Sequence, residues 1–387
     1  MKKKIAVLGS TGSIGKNLIK ILKKDKNNFE IVLLTAEKNY KELSKQAKLF
    51  KVKNLIITDK NSYLKLKKKK FPHKVKIYNN FLSFEEIFKK KIDYSMSAIS
   101  GLEGLYPTIN LIKYTNLIAI ANKEAIICGW NIINKELKKF ETNFIPVDSE
   151  HFSIHYSLKD NLINNIHSVY LTASGGPFLK TSLNKFRDIK ISETLKHPNW
   201  RMGKKISVDS ATLMNKVFEI IEAKKIFNLP YKKLKILVHP NSYVHALIKF
   251  NDGMIKIIAH DTNMVIPIHN TLYNDKTKYI KTKDIDIKKL NKLDFENVNY
   301  KKFPLVKILS KLYEKDSLYE TIIVTANDEF VKQFLDKKIK FIDLMSKIYK
   351  FINLNEFKKY KYITPHKIEN IEKLSKYVRF KINNMSI

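Results

Sequence analysis

A short apolar strand that breaks into a glycine turn and then into an amphipathic helix constrains a fold more than any other local signal. Here it stands at the N-terminus. Lys3 to Leu8 is apolar, Gly9-Ser-Thr-Gly12-Ser-Ile-Gly15 forms the turn, and Leu18, Ile19 and Leu22 recur at helical spacing. Such a unit cradles phosphate, because glycines let the backbone approach the ligand and the first N–H groups of the helix point at it. Thr11, Gly12, Ser13 and Ile14 would place those N–H groups against a pyrophosphate. The spacing is GxxGxxG, not the better-known GxGxxG, so its position at the head of a βα series carries the reading.

That series continues. Further strands are predicted at 31–35, 54–58, 75–78, 94–99, 117–121 and 144–147, with helical segments between several of them. Alternation of this kind implies a mainly parallel sheet with helices on both faces. The second strand ends at Glu37-Lys38-Asn39. An acid there binds a ribose 2′-hydroxyl, whereas a cation favours the 2′-phosphate of NADP. Both signs are present, and Lys38 with Asn39 tips the reading toward NADP; all three also fit a solvated loop. Asn122-Lys123-Glu124 follows a strand at its carboxyl end, where open α/β sheets bind ligands, and reads equally as a helix start.

Asp148 and Glu150 stand two residues apart at a strand-to-loop edge. With the distant Glu219 they would give a hard cation three oxygen ligands and leave room for substrate and water. The plainer alternative is surface acidity. A second domain is predicted over 150–273, with strands at 168–172, 235–238, 244–250 and 254–259. Its turn Ala173-Ser174-Gly175-Gly176-Pro177 would present Ser174 to a phosphate. The stretch from His197 to Glu222 opens as a loop (His-Pro-Asn, then Gly203), passes a short apolar run at 206–208, and reads as a helix capped by Asp209 and Ser210. At 100° per residue, Met214, Val217, Phe218 and Ile221 share one face, and Asn215, Lys216, Glu219 and Glu222 the other. An amide, an ammonium and a carboxylate on one face suit a phosphorylated, hydroxylated substrate and a hard cation. His239, His245, His260 and His269 match no common zinc spacing and read as structural. Residues 274–299 read as a lysine-rich linker, and 300–387 as a small helical bundle without chemistry.

Composition sets the outer bounds. A chain of 387 residues with 44% hydrophobic content is expected to form two or three domains. One cysteine, Cys128, allows no intrachain disulfide and fits a reducing compartment. No apolar run approaches the roughly 18–20 residues that span a bilayer, and the basic N-terminus leads into a glycine turn, not a signal peptide. The net charge of +36 invites a nucleic-acid reading. Arginine, the usual bidentate reader of bases and phosphates, occurs only at Arg187, Arg201 and Arg379. The lysines are spread along the chain among many Asn and Ile, which reads as compositional drift. Non-specific polyanion binding at low salt is the expected side effect.

Taken together, GSTGSIG (9–15), ANKE (121–124), PVDSEH (146–151), LTASGGPF (171–178), HPNWRMGKKISVDSAT (197–212), MNK (214–216) and HPNSYVH (239–245) resemble the 1-deoxy-D-xylulose 5-phosphate reductoisomerases over the whole chain. These are NADPH-dependent enzymes of non-mevalonate isoprenoid biosynthesis. The resemblance implies an N-terminal Rossmann-like dinucleotide-binding domain (1–149), a central α/β catalytic domain (150–273), a linker (274–299) and a C-terminal helical bundle (300–387). It implies isomerisation of 1-deoxy-D-xylulose 5-phosphate and reduction by NADPH to 2-C-methyl-D-erythritol 4-phosphate. It implies catalytic roles for Lys123, Glu150 and His197, and substrate contacts from these and from Ser149, Ser174, Trp200, Ser210, Asn215, Lys216 and Glu219. His197 and Trp200 would ride on a closing flap. Asp148, Glu150 and Glu219 would hold Mg²⁺ or Mn²⁺, with Co²⁺ as a further option. Thr11, Gly12, Ser13, Ile14, Glu37, Lys38, Asn39, Asn122, Glu124 and Gly203 would line the NADPH site. A homodimer in a bacterial cytoplasm is implied, with no membrane and no specific nucleic acid as partner. Val217 and Glu37 depart from the family's usual glycines, and Val265 replaces a more polar residue; none of these removes a ligand.

Overall fold

The computed structural model describes residues 1–158, 162–200, 202–274 and 278–385. Arg201, part of one motif above, lies outside the described residues. The chain divides into two compact units. One comprises Met1–Ala125, Ile132–Asp148 and Met264–Lys281, and the other Ile126–Asn131, Ser149–Asn263 and Thr282–Ile387.

The first unit is built on seven strands: β1 (Lys3–Leu8), β2 (Phe29–Ala36), β3 (Asn54–Ile57), β4 (Lys76–Tyr78), β5 (Ile92–Ser97), β6 (Thr115–Ile120) and β7 (Asn143–Pro146). Their order is β4-β3-β2-β1-β5-β6-β7, and every neighbouring pair is parallel. Strands of a parallel sheet are covered on both faces, and β1 shows why its apolar run is unbroken. Ile5 and Val7 belong to one core, with Leu18, Leu22, Leu34 and Leu43. Ala6 and Leu8 belong to the other, with Leu33, Phe84 and Leu111. Each fully buried Leu or Ile contributes roughly 1.5–3 kcal/mol. The order reverses between β2 and β5 around β1, so the turn after β1 opens at the switch point of the sheet.

Residues 264–273, expected in the central domain, lie in the first unit. Helix Val265–Leu272 adds Ile268 and Leu272 to the core of β1 and helix Ser13–Lys24. Tyr94 Oη bonds Thr271 Oγ1 at 3.0 Å, Lys3 Nζ donates to Leu272 O, and Tyr273 Oη donates to Asp25 at 2.6 Å. Val265 is therefore a packing residue of this helix.

The second unit carries a four-stranded sheet of β8 (Ile166–Ala173), β9 (Leu234–Val238), β10 (Val244–Phe250) and β11 (Ile255–Ala259). Its order is β11-β10-β8-β9; β8 and β9 run parallel and the other pairs antiparallel. Helix Met214–Phe227 supplies Ile220, Ala223 and Phe227 to its core. The helical tail joins this unit: helices Phe341–Ile352 and Ile368–Asn384 pack on helix Tyr319–Leu335. Part of the expected linker is also built in, because Glu296 pairs with Val238 as an antiparallel bridge.

The 197–222 stretch differs from its sequence reading. Ile206 to Val208 are not extended; they lie in helix Lys204–Ala211, with Gly203 as its N-cap. Asp209 and Ser210 occupy the end of that helix and cap nothing. The β-branched Ile206 and Val208 suggest a strand, but packing outweighs that preference. The next helix, Met214–Phe227, starts after Leu213, whose φ of +57° is left-handed. Both of its faces are buried, so its polar side is an internal charged surface and not a solvated one.

Candidate active site

In the first unit the expected cofactor residues gather at the carboxyl edge of the parallel sheet. Gly9 has φ +77°, and a Cβ there would meet Ala98 O at 2.5 Å, so only glycine lets this turn lie against the end of β5. Gly9 N donates to Thr35 Oγ1 and Ser10 N to Thr35 O, both at 2.9 Å, which ties the turn to β2. Gly12 caps helix Ser13–Lys24 without a side chain, leaving its first N–H groups to face a ligand. After β2, Lys38 pairs with Glu37 at 2.9 Å, and both are exposed. The hydrogen bond from Glu37 raises the Lys38 pKa. Asn39 Oδ1 accepts from Glu42 N at 3.1 Å and caps the following helix. Asn122 is buried, and its amide is committed to protein: it donates to Ile99 O and Gly101 O, and accepts from Ala125 N. It shapes the edge and offers a cofactor only its backbone. Glu124 is buried in the next turn. Lys123 Nζ lies 3.1 Å from Asp148 Oδ2, beyond β7.

In the second unit the polar residues interlock. Helix Ser149–Ser157 begins with Ser149, whose Oγ donates to Glu150 Oε2 at 2.6 Å. Lys216 Nζ lies 2.6 Å from Glu150 Oε1 and also bonds Glu219, which accepts from Asn215 as well. Burial would push the Lys216 pKa down, but Glu150 and Glu219 outweigh it and hold the ammonium above its ordinary value. Two carboxylates face one ammonium, and the Lys216 and Glu219 side chains are only 4% and 2% exposed. Two carboxylates so close together in a nearly dry pocket favour cations beside them. Oxygens of Glu150 and Glu219 lie within 4.8 Å of each other. The donor set is all oxygen, as Mg²⁺ and Mn²⁺ require.

Beside this cluster β8 ends in the Ser174 turn. Gly176 has φ +66°, and a Cβ there would sit 2.8 Å from Ser210 O, so the turn lies directly on the end of helix Lys204–Ala211. Ser174 Oγ accepts from Gly176 N at 3.0 Å and lies 2.9 Å from His197 Nε2. His197 Nδ1 accepts from Asn199 N and Trp200 N at 3.1 and 3.0 Å. With Nδ1 an acceptor, Nε2 carries the proton and donates to Ser174. Burial first, and the Lys216 charge second, lower the His197 pKa to about 4. His197 is thus a neutral donor at physiological pH. His197 thus links the Ser174 turn to the charge of Lys216, and Gly176 brings the same turn against the backbone of Ser210.

Residues without an assigned role complete the arrangement. Asn199 Nδ2 donates to Pro240 O at 2.6 Å and to Ser242 Oγ at 2.8 Å, and Trp200 stands edge-on to His245 at 6.0 Å. The segment 197–200 therefore rests on the β9–β10 turn. The doubled His-Pro-Asn, at 197–199 and 239–241, is the sequence signal for that contact. His151, fully buried, donates from Nε2 to Glu219 O at 2.9 Å and faces Glu222 at 3.4 Å. It braces the backbone that carries Glu219.

Family models described as 1-deoxy-D-xylulose 5-phosphate reductoisomerase and its C-terminal domains match residues 5–129, 144–227 and 261–381. The chain is 58% identical to the reductoisomerase of Pelagibacter ubique (strain HTCC1062) over 387 residues, the full length of both. It is 38% identical to that of Wolbachia pipientis wMel over 346 residues, 89% of this chain and 88% of the relative. Among solved structures it matches the Zymomonas mobilis reductoisomerase in complex with NADPH at TM-score 0.89 and 31% identity, over 98% of both chains. A reductoisomerase in complex with magnesium matches at 0.88 and 27%, over 99% and 98%. The chain belongs to the 1-deoxy-D-xylulose 5-phosphate reductoisomerase family.

Proposed function

We infer that this protein converts 1-deoxy-D-xylulose 5-phosphate to 2-C-methyl-D-erythritol 4-phosphate, using NADPH and a divalent cation, in non-mevalonate isoprenoid biosynthesis. The observation that carries the reading at the level of this chain is the convergence of Glu150 and Glu219 on the Lys216 ammonium beside the Ser174–His197 pair. Asp148, Glu150 and Glu219 are the residues to hold Mg²⁺ or Mn²⁺. When bound, the cation supplies Lewis-acid stabilisation of negative charge on the substrate's carbonyl and hydroxyl oxygens. Lys216 already sits where positive charge is wanted. Ser174, Ser210, Asn215 and Lys216 take the phosphate, with His197 aligning the Ser174 hydroxyl. Ser149, Glu150 and Lys123 face the reacting oxygens. Trp200 and His197 close over them, which excludes water and aligns the centres at the expense of remote phosphate binding. The turn at Thr11–Ile14, with Lys38, Asn39 and the backbone of Asn122, takes NADPH, and Gly203 is expected to contact it as well.

The chain acts as a homodimer in a bacterial cytoplasm. Supporting a second copy, β11 is an edge strand with Ile255 and Ile257 54% and 48% exposed, next to Met254 at 67%, and apolar edges of this kind are covered in native proteins. Among the described residues no helix is long and apolar enough to cross a membrane.

The deciding experiment follows NADPH absorbance with 1-deoxy-D-xylulose 5-phosphate and Mg²⁺, with and without chelator. Chelator-sensitive oxidation is expected. Oxidation indifferent to chelator would point to a simple NADP-dependent dehydrogenase, and salt-sensitive RNA binding without oxidation to a nucleic-acid protein.

A further inference from the structure

The C-terminal helices bring no chemistry of their own, yet Asn327, midway along helix Tyr319–Leu335, is fully buried. Its Nδ2 donates to Asp209 Oδ1 at 2.8 Å, and Asp209 is itself buried in helix Lys204–Ala211. Lys205, one turn before Asp209, lies 3.3 Å from Asp209 Oδ2 and 2.9 Å from Asp328 Oδ1. Its ammonium also sits 5.4 Å from the centre of the Phe218 ring, on helix Met214–Phe227. Three helices thus meet at one polar knot, buried at Asp209 and Asn327 and open to solvent at Lys205.

An apolar set of the same volume would pack these helices without desolvating a charge, so the knot is not the cheapest way to fill the space. What a hydrogen bond adds is direction. A carboxylate held from both sides fixes the rotation of helix Lys204–Ala211 about its own axis. That rotation matters. Ser210 follows Asp209 directly, and Gly203, where the 197–203 segment ends, is the N-cap. Beyond the left-handed Leu213 the chain continues into Asn215, Lys216 and Glu219.

We propose that Asn327 and Asp328, acting through Lys205 and Asp209, are positioning residues for the phosphate site. They hold Ser210 and the base of the 197–203 segment at the angle the Ser174 turn requires. The inference rests on the reading of Ser210 and Lys216 as phosphate contacts.

The test is an exchange. Asn327→Asp and Asp209→Asn each destroy the amide-to-carboxylate bond, and the double variant restores it with the partners reversed. Each single variant is expected to raise KM for 1-deoxy-D-xylulose 5-phosphate and Kd for inorganic phosphate about tenfold, the scale of one hydrogen bond to a charged group. KM for NADPH should stay within about twofold, and the exchange should recover most of the loss, as coupled sites do. Lys205→Met, which keeps the apolar stem, serves if the single variants do not fold. Folded variants whose phosphate affinity equals that of the unaltered protein would overturn the proposal, as would an exchange no better than its worse single variant. Calorimetric phosphate binding needs no turnover, so a protein inactive as a reductoisomerase would count against the functional reading and leave this one to its own result.

Discussion

Lys216 illustrates what individual residues reveal and conceal. Its place in MNK, one turn from Glu219, was legible, because an i, i+3 pair must share a helix face. That Glu150 would join it was not, since no local pattern links residues so far apart. Glu150 and Asp148 stand out in a chain with 37 acids against 73 bases, which is why the acid pair could be found at all. Glu219→Gln should lower turnover by roughly 100-fold or more while NADPH affinity holds, because even an outer support of a metal site commonly costs 10–100-fold. Full activity at saturating Mg²⁺ would remove Glu219 from the ligand set. His197 makes a second prediction. Its folded pKa is depressed to about 4 from 6.5, so its contribution to stability is complete above pH 6.5 and is lost as pH falls toward 4. An NMR titration of its ring should find the midpoint near 4; a midpoint near 6.5 would mean that the ring is not buried in solution. Lys38→Ala should weaken the preference for NADPH over NADH, and an unchanged ratio would move the 2′-phosphate to other residues.

At the scale of elements, strands were read more surely than helix ends. β10 carries its expected bounds, and most other strands lie within two residues of theirs, because buried apolar runs between turns leave few alternatives. Helix Lys204–Ala211 is not legible in the sequence, because it is held partly by Asn327, whose bond to Asp209 comes from a distant helix. Asn122 carries a related ambiguity. An Asn before a helix reads equally as ligand or cap; its Oδ1 does cap the helix by accepting from Ala125 N, and the NADPH contact proposed above falls to its backbone. The glycine turns separate by the space around them. Gly176→Ala combines a left-handed φ with contact on Ser210 O, and should cost about 1–3 kcal/mol and weaken phosphate binding. Gly203→Ala meets nothing within 4 Å and should change stability by no more than about 0.5 kcal/mol. Calorimetric melting of both variants checks the contrast, and equal losses would refute it.

For the whole molecule, the charge of +36 predicts weak binding to any polyanion that falls steeply between low and physiological salt and ignores base sequence. Fluorescence anisotropy with two unrelated RNA oligomers tests it; a sequence preference would reopen the nucleic-acid reading. The domain boundary was the least legible feature, because helix Val265–Leu272 returns to the first unit after the chain has supplied all four strands of the second sheet. That return has a consequence during synthesis. When Asp148 leaves the ribosome, the first unit still lacks Ile268 and Leu272 from its core, and more than a hundred further residues must be translated, roughly ten seconds' work at ordinary elongation rates. For that interval the nascent nucleotide-binding half carries an uncovered apolar face beside Leu18 and Leu22, and it finishes folding only after much of its neighbour has emerged.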